Sequence, residues 1–105
     1  MAFVTEVYKL TSTFPDEEKF GLIAQLRRAA VSVPTNISAG AARHSRKDYI
    51  HFLYISLDSI SEIDTILMIT QNLNFCSSDL LSRYFQKSDE IKKMLGTLIK
   101  ALDNS

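Results

Sequence analysis

From Arg46 to Asn72 the chain runs without a glycine or proline, and it sets Tyr49, Ile50, Phe52, Leu53, Ile55, Leu57, Ile60, Ile63, Ile66, Leu67 and Met68 into helical spacing. These are too many apolar positions for a single stripe. Ile50, Leu53, Leu57, Ile60 and Leu67 make one face and Phe52, Ile55, Ile66 and Ile69 a second, leaving His51, Asp58, Glu62 and Thr65 as a narrow polar strip. A helix apolar round most of its circumference has to be covered on several sides. The chain has 105 residues, enough for one core and not for two. Its class is therefore an all-α bundle of packed helices, and the excess apolar surface predicts self-association through this helix or its neighbour.

The rest of the chain supplies the covering helices. Phe3, Val7, Leu10 and Phe14 lie on one stripe, with Val4, Tyr8 and Thr11 beside it. Pro15 followed by Asp16, Glu17 and Glu18 reads as a helix start, because proline has no N–H to lose there and the carboxylates meet the positive end of the dipole. Leu22, Ile23, Leu26, Ala30, Val33 and Ile37 continue the pattern through Gly21 and Pro34. The periodicity resumes at Ile37, so Pro34 is read as a kink and not as a break. Small residues crowd this segment (Ala29, Ala30, Ser32, Ser38, Ala39, Gly40, Ala41, Ala42), which suits close approach by a neighbouring helix. Ser45 and Asp48 match a capping box, and Ser77 or Ser78 caps a last helix carrying Leu80, Tyr84, Ile91, Leu95, Leu98 and Leu102. The reading is one domain over residues 1–105, an antiparallel up-and-down four-helix bundle with helices at about 3–13, 17–41, 46–72 and 78–102.

Composition is that of a globular chain, 46% apolar and 23% charged, and no apolar run is long enough to cross a bilayer. The amphipathic start, with Glu6 and Lys9, is unlike a signal peptide, and the expected location is the cytoplasm. Cys76 is the one cysteine, read as a reduced, small apolar side chain. The formal net charge is zero, yet the charges are segregated. Lys19, Arg27, Arg28, Arg43, Arg46 and Lys47 form a run without an acid; Asp48, Asp58, Glu62, Asp64 and Asp79 follow without a Lys or Arg. Part of this asymmetry is expected to be complementarity between the second and third helices.

Catalytic patterns are missing. A carboxylate-bridged metal site in a bundle needs acid-x-x-His pairs on two helices, and only Asp48 and His51 have that spacing, once. A metal centre or enzyme built round His51 is thus a minor alternative, and no metal or cofactor is expected. Cys76 has no His near it in sequence, no G-x-S-x-G elbow occurs, and Gly21, Gly40 and Gly96 are isolated, which excludes a phosphate-cradling glycine loop. The basic constellation is the feature with functional content. Arg43, Arg46 and Lys47, with His44, cluster where one helix ends and the next offers free N–H groups, and Arg27 and Arg28 precede them. Such a corner suits phosphate; the other reading is a solvated turn whose arginines pair with acids of the third helix.

A family resemblance is carried by Phe14-Pro15 and the acids after it, Phe20-Gly21-Leu22, the run Gln25 to Ile37, Gly40, Arg43, Ser45, Lys47, Phe52-Leu53, Ser59 and Glu62. Over nearly its whole length the chain resembles the small four-helix-bundle proteins named for intervening sequences in bacterial large-subunit ribosomal RNA genes. The resemblance implies a barrel-like homopentamer, and kinship with accessory proteins of diversity-generating retroelements, which associate with a reverse transcriptase and with nucleic acid. Most members have no established activity. Ala39 stands where the family commonly has Glu, and Asp58 where it often has Gly. The combined expectation is a non-enzymatic, ring-like homo-oligomer whose corner of Arg27, Arg28, Arg43, Arg46 and Lys47 contacts RNA, DNA or a nucleic-acid-bound partner such as a reverse-transcriptase-like protein. The alternative is a protein-recruiting scaffold without nucleic-acid affinity.

Overall fold

The computed structural model describes residues 2–18 and 20–105. Four α-helices follow one another: α1 (Ala2–Thr11), α2 (Leu22–Ala41), α3 (Arg46–Asn72) and α4 (Ser78–Asp103), with a 3₁₀ turn at Asp16–Glu18 and no strand among the described residues. Residue pairs fix their directions. Ser56 donates to the Val33 carbonyl and Ser59 to Ser32, so α2 and α3 are antiparallel. Ser88 bonds Asp64 while Leu95 packs near Leu53, which sets α4 antiparallel to α3. Phe3 meets Tyr84 and Phe14 meets Phe75, so α4 also runs antiparallel to α1.

The start of the second helix is a correction to the sequence reading. The Pro15-Asp-Glu-Glu signature begins a helical turn, but that turn is 3₁₀, closed by Glu18 N–H to Pro15 C=O and Gly21 N–H to Glu18 C=O. Gly21, at φ −100° and ψ −106°, is not helical, and α2 begins only at Leu22. Lys19, counted in the basic run, lies outside the described residues. Pro34 is accommodated inside an unbroken α2.

Local chemistry sets the other boundaries. Ser45, in extended conformation, accepts from the Asp48 N–H at 3.2 Å, and Ser77 accepts from Leu80 N–H at 3.2 Å, so each caps the helix that follows. At the end of α3, Asn74 takes φ 60°, and the Phe75 and Asn74 N–H groups return to the Thr70 and Gln71 carbonyls in a Schellman closure.

The core is in two parts because the helices differ in length. At about 1.5 Å per residue α1 reaches roughly 15 Å and α4 roughly 39 Å. Where all four helices overlap, Phe3, Val7, Leu10, Leu26, Ala30, Val33, Ile60, Ile63, Leu67 and Leu81 form the larger cluster. Beyond the start of α1 only α2, α3 and α4 remain, around Leu53, Leu95 and Ile99. The molecule is correspondingly long, 46 × 24 × 19 Å. α3 runs through both parts, covered by α2 and α4. It buries Leu53, Ile60, Ile63, Ile66 and Leu67, leaves the strip His51, Asp58, Glu62 and Thr65 exposed, and keeps Tyr54, Met68 and Ile69 in solvent as well.

Two glycines inside helices have opposite surroundings. At Gly40 an added Cβ would stand 2.8 Å from Phe52 Cβ and 3.0 Å from Tyr49 Cδ1, so here the small-residue segment of α2 does bring α3 close. At Gly96 an added Cβ would meet nothing within 4 Å. Gly96→Ala is therefore expected to stabilise the chain by about 0.5–1 kcal/mol, the helix-propensity difference, read as a raised midpoint in urea.

Candidate nucleic-acid interface

The α2–α3 turn is built by hydrogen bonds that leave its side chains outside. Ala42 N–H closes on Ser38 C=O and Arg43 N–H on Gly40 C=O, after which Ser45 turns the chain into α3. Every residue from Ala41 to Asp48 is exposed. The Arg43 guanidinium lies over the Phe52 ring, 4.9 Å from its centroid, which holds the cation out over α3. Arg46 donates through Nη1 to the backbone oxygen of Ser105. Between the start of α3 and the end of α4 a groove of about 530 Å³ is lined by Ser45, Arg46, Lys47, Ile50, Leu102 and Asp103. The turn thus joins three cations to the free N–H groups at the start of a long helix, a combination that accepts phosphate oxygens.

The five cations singled out in the sequence do not share one corner. Arg27 Nε donates to Thr11 Oγ1 at 2.7 Å, its Nη2 to the Tyr8 carbonyl at 3.3 Å, and its guanidinium lies 4.5 Å from the Tyr8 ring centroid. It is tied down to α1 and holds two helices together. Arg28 is exposed, but it precedes Arg43 by 15 positions, roughly 22 Å along α2. Arg43, Arg46 and Lys47, with His44, are the group the turn assembles.

The expected pairing of basic α2 with acidic α3 is also corrected. Among the described residues the ion pairs are Lys9–Glu6, Lys87–Glu90 and Lys92–Asp64, none of them joining α2 to α3. Asp58 and Glu62 sit on the exposed strip of α3, and Asp64 faces α4. There Asp64 accepts from the buried Ser88 hydroxyl and from Lys92 Nζ. Sequence reasoning missed this cluster because an isolated Ser88 and Lys92 carry no local mark of the α3 carboxylate that they meet. The signal available was position: Ser88 falls on the same face as Leu81, Tyr84 and Leu95.

Other chemistry finds little to work with. Among the described residues no three of His, Cys, Asp and Glu gather into a cation-binding group. Cys76 is half-buried near Thr13, and burial pushes its thiol above the usual range, against a hydrogen bond from Thr13 that lowers it. It sits at the α3–α4 turn, and α3 separates it from His44 and His51, which lie at the other end of the bundle. Among the described residues no helix is long and apolar enough to cross a membrane.

Comparison with known proteins bears on the whole chain. The family model described as 23S rRNA-intervening sequence protein matches residues 1–97. The fold is similar to the crystal structure of a protein of unknown function from the S23 ribosomal protein family of Bacteroides thetaiotaomicron. The two are 25% identical, with a TM-score of 0.80, over 92% of this chain and 88% of that one. Curated proteins yield no match to this chain.

Proposed function

The chain belongs to the 23S rRNA-intervening sequence protein family, and on that premise we propose that it is a non-enzymatic, cytoplasmic homo-oligomer, a ring-like pentamer, that works by binding. Its α2–α3 turn contacts the phosphates of RNA or DNA, or a partner already bound to nucleic acid. One observation carries this reading: Arg43, His44, Arg46 and Lys47 are all exposed at the start of α3, with no acid before Asp48. In the proposed ring the same turn is presented several times. Tyr54, Met68 and Ile69 on α3, with Val31 on α2, are the apolar surface available to neighbouring copies.

Binding of short labelled RNA and DNA across a salt series tests the proposal. Affinity is expected to fall steeply with salt, and Arg43→Glu with Arg46→Glu to weaken binding at least tenfold and flatten the slope by about two phosphate contacts. Unchanged affinity in that variant would overturn it. The second reading, a scaffold that recruits a protein, is favoured by the net charge of zero. A partner that co-purifies irrespective of nuclease, with no nucleic-acid binding at low salt, supports that alternative.

A further inference from the structure

Two arginines are laid over aromatic rings, Arg27 at 4.5 Å from Tyr8 and Arg43 at 4.9 Å from Phe52, but they are held differently. Arg27 also commits Nε to Thr11 and Nη2 to the Tyr8 carbonyl. The Arg43 guanidinium has no hydrogen bond or ion pair among the described residues, and the residue is exposed. One flat face therefore rests on Phe52, while the other face and the N–H edge are open to water. Phe52 is half-buried where α3 passes Gly40, which fixes the ring and the plane of the cation on it. His51, also exposed, stands edge-on to the same ring, 5.8 Å between centroids and 69° between planes.

We infer that the turn takes unpaired bases. One base of a single strand stacks on the outer face of Arg43, extending the Phe52 and Arg43 pair to three layers, and the His51 imidazole offers a flat neighbour for the next. Arg46 and Lys47 hold the phosphates alongside. The inference rests on the reading of the turn as a nucleic-acid contact and names the form of nucleic acid that it takes. The charge pattern also favours a single strand over a duplex, because the positive surface is short. From His51 the exposed strip of α3 continues to Asp58 and Glu62, seven and eleven positions on, roughly 10 and 16 Å along the helix. No Lys or Arg occurs from Asp48 to Ser82, and on the α4 side Asp103 borders the groove beside Arg46 and Lys47. A stiff duplex laid across α3 carries phosphates over these acids, and its bases are already stacked on one another. A single strand bends away from the acids and brings free base faces.

Three labelled probes of about 12 units each test the inference. They are a mixed-sequence single strand, the blunt duplex of that sequence, and an abasic strand with the same number of phosphates. RNA and DNA forms of the single strand are run in parallel to tell those two sources apart. At physiological ionic strength the single strand is expected to bind at least tenfold more tightly than the duplex or the abasic strand. Arg43→Lys keeps the charge and removes the plane. It is expected to weaken single-strand binding about tenfold with an unchanged salt slope, to leave the abasic strand within about twofold, and to abolish the quenching of a fluorescent purine analogue placed in the strand. Lys47→Gln is expected to do the opposite, weakening single and abasic strands by the same factor and lowering the slope by about one phosphate contact. A duplex or an abasic strand bound as tightly as the single strand, or an Arg43→Lys variant equal to the parent on the single strand, would overturn stacking and leave phosphate contact at the turn standing. No binding of any probe at low salt would overturn the proposed function, and stacking with it.

Discussion

Leu26→Ala is expected to lower stability by about 3–4 kcal/mol, seen as a fall of roughly 15–25 °C in the thermal midpoint, with no direct effect on the α2–α3 turn. Leu26 is fully buried within the larger cluster, where side chains of all four helices meet. Removing its branched end deletes apolar contacts and leaves a void that helices pinned by cross-bonds cannot easily close. Arg27, one residue on, fixes α2 to α1 through Thr11 and Tyr8, and Tyr84 hydroxyl donates to the Glu6 carbonyl to fix α1 to α4. Chemical denaturation of the variant measures the loss. A cost below about 1 kcal/mol would mean that this part of the core collapses freely, contrary to the packing described.

Gly40→Val is expected to cost about 2–3 kcal/mol, and Gly40→Ala a smaller amount of the same sign. The ordinary effect of replacing a helical glycine is favourable, as at Gly96, because the unfolded chain loses freedom. At Gly40 the new Cβ meets Phe52 Cβ at 2.8 Å and the Tyr49 carbonyl oxygen at 3.3 Å, groups with short or no tethers that move only if α2 and α3 part. Parting them also disturbs the Phe52 ring beneath Arg43 and hence the shape of the turn. Urea midpoints of the two alanine variants, Gly40→Ala falling and Gly96→Ala rising, check the argument with one substitution in two settings.

Much of the fold is legible in short-range chemistry. Ser45 and Ser77 mark helix starts by their hydroxyls, the apolar spacing of α3 announces a helix covered on more than one side, and the small residues around Gly40 mark a close crossing. What was not legible depends on partners distant in sequence or on backbone angles. The acids after Pro15 signal a helix start, but nothing local says that Gly21 takes a conformation that ends the turn. Arg27 and Arg28 look alike in the sequence; only the position of α1 sends the first into Tyr8 and Thr11 and leaves the second in water. Nothing local distinguishes Ser56, Ser59 and Ser88 from surface serines, yet each is buried with its hydroxyl met by an acceptor on a neighbouring helix: Val33 carbonyl, Ser32 hydroxyl and Asp64 carboxylate.

The short α1 gives the molecule a firm half and a loose half. Opening the end built from α2, α3 and α4 alone exposes the small cluster around Leu53, Leu95 and Ile99, whereas opening the other end exposes the large one. Local unfolding is cheaper where less apolar surface is uncovered. The basic turn is mounted on the looser half, so under the proposed function a polyanion on Arg43, Arg46 and Lys47 would clamp together the helix ends that open most cheaply. Binding energy would then go partly into tightening the protein, and occupancy would be felt along α3 as a loss of motion as well as at the surface as a neutralised charge.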